Sequence, residues 1–123
     1  ALKEGQLQEG ERLYQAILQS QPKHPDANHN LGLIAVAANK VDAALPLFKT
    51  ALEANPKIEQ FWLSYIDTLI KGKQSEVAKQ VIEQAEKQGV SREKINVFER
   101  QLQSPIQDDN AQPYVTYINT LLQ

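Results

Sequence analysis

Apolar residues recur along this chain at intervals of three and four, broken at regular places. Leu31, Ala35 and Ala38 form one such run, and Ala44, Leu47, Phe48, Ala51 and Leu52 form the next. That spacing places each run on one face of a helix. Breakers fall between the runs. Asn39-Lys40 separates the first from the second, and Asn is the non-glycine residue best suited to a left-handed helix exit. Gly5 stands at the equivalent place 34 residues earlier and is expected to be an exit too. Asn55-Pro56 and Gln21-Pro22 close the second run of their copies, because a residue before proline is pushed out of the α region. Asp42 is read as an N-cap or first-turn residue. The expected unit is helix, short turn, helix, longer turn.

The unit repeats. Thirty-four residues beyond Asn28, Leu31, Ala35, Ala44, Phe48 and Ala51 stand Trp62, Tyr65, Leu69, Ala78, Ile82 and Ala85. The same step backwards takes Phe48 to Tyr14, Ala51 to Ile17 and Pro56 to Pro22. Ile95, Phe98 and Leu102 continue the series with one residue lost. Small residues (Gly32, Ala44, Ala51, Ala78, Ala85, and Gly10 in the first copy) are expected where helices approach closely. Leu31, Phe48, Trp62, Tyr65 and Ile82 are expected to fill the space beside them, since alternating sizes give a seam without voids. Pro46 costs one early backbone bond of its helix, which is tolerable that near the start. Gly72 falls one residue earlier than the repeat asks.

A 34-residue helix–turn–helix unit with these slots resembles the tetratricopeptide repeat family, from Gly5 to about Gly89. The fold class implied is all-α: a right-handed α-solenoid of about three repeats plus a capping helix. The expected division is a partial repeat over 1–24, repeats over 25–58 and 59–90, a capping helix over 91–103, a linker over 104–112 and an amphipathic helix over 113–123. In that last segment Tyr114, Val115, Tyr117, Ile118, Leu121 and Leu122 lie at helical spacing behind Pro113. It fits the start of a further repeat, a lid on its own stack, or a docking element that gives a homodimer. The first is the favoured expectation.

The resemblance further implies that the first helix of each pair lines a concave groove holding peptides or partner helices. Carried over slot by slot, the groove-facing positions are Asp26, His29, Asn30, Leu33, Val36 and Ala37 in one copy. In the next they are Gln60, Leu63, Ser64, Asp67, Ile70 and Lys71. The family's carboxylate clamp needs lysine, arginine and asparagine side chains; only Asn30 matches it. His29, Leu33, Gln60 and Ser64 occupy the other slots, so a receptor for chaperone tails is disfavoured. Apolar Leu33, Leu63 and Ile70 beside polar His29, Asn30, Ser64 and Asp67 suit an amphipathic helix or an extended segment with alternating anchors.

Composition narrows the function classes. Apolar residues make up 41% and charged residues 23%, ordinary for a globular chain rather than a disordered one. Thirteen basic against fifteen acidic residues leave a net charge of −2, no footprint for nucleic acid or an anionic membrane. No apolar run approaches a membrane span. Cysteine is absent, which removes disulfides, thiolate metal sites and a cysteine nucleophile. The cytoplasm is the expected compartment, although a cysteine-free chain suits a periplasm equally. Methionine is absent too, so the chain is expected to be processed or part of a longer one.

No catalytic constellation or cofactor site is expected. His24 and His29 do not share a helical face, so a metal pair is improbable; His24 reads as a turn residue, His29 as a contact at the mouth of the groove. Asp108-Asp109 sits in a polar stretch, where adjacent carboxylates are simply solvated. Trp62 and Tyr65 read as core, and Lys71, Lys73 and Lys79 are interleaved with Glu76 rather than gathered around a phosphate site. Gly-rich phosphate loops, a serine elbow and an H-E-x-x-H pattern do not occur. Two function classes follow: a non-catalytic module for a protein or peptide partner, and an N-terminal scaffold or oligomerisation arm of a larger enzyme such as a transferase.

Overall fold

Each breaker read from the sequence has a structural counterpart. A computed structural model describes residues 4–103, and in them six helices follow one another with no strand. They are α1 (Glu4–Ser20), α2 (Pro25–Ala37), α3 (Val41–Ala54), α4 (Glu59–Lys71), α5 (Ser75–Lys87) and α6 (Arg92–Gln103). The linker and amphipathic helix expected over 104–123 lie outside the described residues.

Three of the helix ends share one geometry. After α2, Asn39 has φ 61°, its N–H bonds to the Val36 carbonyl and the Lys40 N–H reaches back to Ala35. Lys73 after α4 (φ 61°) and Gly89 after α5 (φ 90°) repeat that pattern, with Gln74 bonding Leu69 and Val90 bonding Ala85. These are Schellman exits, in which a left-handed residue satisfies carbonyls the helix leaves unpaired. Asn39 meets the expectation, and its counterpart 34 residues on is Lys73, not Gly72. Gly72 serves another purpose: a Cβ there would lie 3.0 Å from Val41 Cγ1 and 3.3 Å from the Thr68 carbonyl. The glycine lets the end of α4 approach the start of α3, and the lysine accepts the strained backbone.

Gly5 departs from its expected role. It lies in the first turn of α1 rather than at an exit, without a positive φ, and glycine joins a helix at a modest entropic cost when no neighbour forces the turn. Asp42 proves to be a first-turn residue, with Lys40 at the N-cap position. His24 is more than a turn residue. Its Nδ1 accepts the Ala27 N–H at 3.0 Å and so caps α2 directly before Pro25. Asn28 ties down the same turn, donating from Nδ2 to the carbonyls of Pro22 (3.1 Å) and His24 (2.9 Å).

Packing follows the alternation of sizes. Ala44, Ala51, Ala78 and Ala85 are wholly buried, and Phe48, Ile66, Leu69 and Ile95 are the large side chains sealed among the helices. Trp62 is buried too, and its Nε1 donates to the Pro56 carbonyl at 2.7 Å. Gly32 packs directly beneath the Phe48 ring. The order of contacts is that of a stack: each helix packs on its neighbours in sequence, while α2 touches α4 and α4 touches α6. The fold is an α-solenoid of helical repeats, and α2, α4 and α6 form its row of first helices. No described helix is long and apolar enough to cross a membrane.

Candidate functional site

The row of first helices carries a groove. An open cavity of about 340 Å³ is lined by Leu33 and Val36 from α2, Gln60, Leu63, Ser64, Asp67, Thr68 and Lys71 from α4, and Phe98 from α6. The helical period explains the lining: residues 60, 64, 67, 68 and 71 fall on one face of α4. Leu33 is 45% exposed, a large apolar side chain in water with no intramolecular reason to be there. Lys71 Nζ lies 3.0 Å from Asp67 Oδ2, a half-exposed pair that leaves this wall electrically neutral and contributes little stability.

Seven of the positions taken from the sequence therefore meet at one cavity: Leu33, Val36, Gln60, Leu63, Ser64, Asp67 and Lys71. Asp26 and Ala37 are exposed and Asn30 is half-buried, all three away from the lining, and Ile70 leans on the core cluster. Thr68 and Phe98 were missed. Thr68 could have been found by extending the Ser64 face one turn. Phe98 was read as part of a cap, yet it occupies on α6 the place that Tyr65 holds on α4, displaced by the lost residue.

His29 is not at the mouth of the groove. It is 6% exposed, with its ring centroid 5.4 Å from that of Phe48 and 4.8 Å from that of Phe61. Its Nε2 lies 2.8 Å from the Ser64 hydroxyl, itself buried, and Ser64 also accepts from Gln60 Nε2 at 3.3 Å. Packing between two phenyl rings turned the imidazole into the seam between α2 and α4, behind the wall rather than on it. Burial holds the His29 ring below the ordinary imidazole range, partly offset by a hydrogen bond with the Asn30 side chain and by the Asp26 charge.

A stability profile with a definite sign follows. The unfolded chain takes up a proton at His29 near pH 6.5, before the folded chain does. Stability is thus full above about pH 6.5 and declines as the pH falls from there through the lower, folded-state value. Urea midpoints measured between pH 7.5 and 5 are expected to fall in the native chain and to flatten in His29→Asn. An equal slope in both would assign the dependence elsewhere.

Glu59, which drew no notice in the sequence, braces the far end of the groove. Its Oε2 accepts the Ser91 N–H at 3.0 Å and its Oε1 the Lys94 ammonium, joining the start of α4 to the start of α6. Lys94 first, and then the Ser91 amide, hold its carboxyl below the usual carboxylate range. No periodicity signals such a pair, because the contact spans 35 residues.

The opposite side of the stack has a smaller cleft of about 270 Å³, between α3 and α5, where Leu52, Pro56, Trp62, Tyr65 and Val81 meet Lys49, Glu53 and Gln84. Burial, and secondarily the Glu53 charge, push the Tyr65 phenol up. Among the described residues no group of three or more His, Asp or Glu side chains is placed to hold a metal ion.

Two family models, each described as a tetratricopeptide repeat, match residues 1–57 and 35–95. No curated protein matches the chain significantly. Both models cover the stretch in which buried alanines, left-handed exits and stacked helix pairs recur at one spacing, and the chain belongs to the tetratricopeptide repeat family.

Proposed function

We propose that this chain is a non-catalytic module that binds a peptide segment or helix of a protein partner in its concave groove. Repeats of this family are in general protein-interaction modules. The observation that carries the finer reading is the exposure of Leu33 beside Leu63 and Val36 in a cavity otherwise lined by short polar groups. Apolar anchors supply affinity once desolvated, and the polar groups fix orientation. The neutral Asp67–Lys71 wall favours a segment that meets it with apolar or uncharged side chains.

The test begins with a pull-down by the full-length protein and identification of what is retained. The affinity of that partner is then measured for variants. Leu33→Glu with Leu63→Glu is expected to weaken binding about 100-fold or more, since each anchor contributes on the order of 1.5–3 kcal/mol when buried. Helicity should be unchanged, because neither residue belongs to the sealed core. Lys49→Glu on the opposite face should bind normally. Full affinity in the double variant, with loss in Lys49→Glu, would move the binding face to the cleft between α3 and α5.

A further inference from the structure

The polar wall of the groove is wired to a residue outside it. Ser64 and Gln60 line the groove, whereas His29, bonded to Ser64, does not. A hydroxyl offers one proton and two lone pairs. The Gln60 amide occupies one lone pair of Ser64 Oγ. When Nε2 of His29 carries no proton, the Ser64 proton goes to it, and the hydroxyl keeps one lone pair for the groove. In the imidazolium both ring nitrogens are donors. Nε2–H then takes the second lone pair, and the hydroxyl proton is released from the ring. The same atom turns from acceptor to donor with no movement of backbone.

We propose that His29 is a specificity-determining residue of the groove: through Ser64 it sets whether the wall accepts or donates a hydrogen bond, and acid reverses the setting. The neutral ring fits an occupant with an N–H or O–H group between its apolar anchors; the protonated ring fits a carbonyl oxygen there. The groups around the ring leave this exchange to Ser64. From α3 it meets Phe48 and from α4 Phe61, neither ionisable. Asp26 on its own helix is the charge that acts on it, and Asp67 and Lys71, farther along α4, are paired with each other. Because the ring is shielded between those phenyl groups, its protonation state reaches the groove through the Ser64 hydroxyl.

This inference rests on the concave reading of the binding face, yet its test needs no partner. Nitrogen NMR of the His29 ring, with the amide shifts of Gln60, Leu63 and Ser64, is followed in the whole described chain as the pH is lowered. The neutral ring is expected to carry its proton on Nδ1. The groove amides should shift with the same midpoint as the ring, whereas amides of α5 should not follow that midpoint. Ser64→Ala should leave the ring titrating and abolish the movement at Gln60 and Leu63. A neutral ring protonated on Nε2 would overturn the proposal, as would silent groove amides, co-titration that survives in Ser64→Ala, or unfolding before the ring titrates. Failure of the groove reading shows itself separately, as retained partner affinity in the Leu33→Glu, Leu63→Glu chain.

Discussion

Phe48→Ala is expected to destabilise the chain by about 3–5 kcal/mol, the range for deleting a sealed aromatic side chain and leaving its cavity. Phe48 is wholly buried and packs at once on Gly32, from α2, and on the His29 ring. Its loss opens space on both sides of the α2–α3 seam. The reciprocal change gives the sharper test. Alanine at position 32 improves helix propensity by about 0.5–1 kcal/mol over glycine. Its Cβ, however, would fall 2.6 Å from Phe48 Cε1 and 2.8 Å from Cδ1. The ring cannot swing away, being enclosed. Overpacking of about 1–3 kcal/mol outweighs the propensity gain, so Gly32→Ala is expected to be destabilising too. Adding Phe48→Leu to Gly32→Ala should recover part of the loss, because residues in contact do not act additively. Urea denaturation of the three variants measures this; a more stable Gly32→Ala chain would refute the close contact.

Ile95→Ala carries the second large effect, about 2–5 kcal/mol, and it should be local. Ile95 is wholly buried, and α6 packs only on α4 and α5 among the described helices. In a stack, stability is a sum of neighbouring interfaces, so damage at one end need not reach the other. Amide exchange is expected to speed up first in α6 and at Ser91, whose N–H depends on Glu59, while α2 and α3 keep their protection. Uniform loss of protection along the chain would mean that the helices form one cooperative bundle rather than a stack.

The fold was legible because its signal is repetition, and repetition survives the loss of any single slot. Asn39 announced a left-handed exit, and Ala44, Ala51, Ala78 and Ala85 announced close helix crossings; the structure places all five accordingly. What failed were readings of single residues taken out of the spacing. Gly72 looked like a shifted exit, but the spacing kept position 73 and left a lysine in the strained conformation. Gly5 looked like an exit because glycine so often is one, yet nothing around it demands a positive φ. The site was legible by slot and not by orientation. Seven positions share the groove, whereas His29 was carried inward by two phenyl rings that lie 19 and 32 residues away in sequence. The Glu59 brace and the His24 cap depend on side-chain reach in three dimensions, which no one-dimensional pattern encodes.

The most direct check is a map of where a captured partner touches. Once the partner has been identified, its minimal binding segment is titrated into the labelled chain and the perturbed amides are assigned. Changes concentrated at Leu33, Val36, Leu63, Asp67, Lys71 and Phe98 are the predicted outcome, with α3 and α5 quiet. Perturbations gathered instead around Lys49, Glu53, Val81 and Gln84, with the inner face of α2 and α4 unmoved, would contradict the concave site.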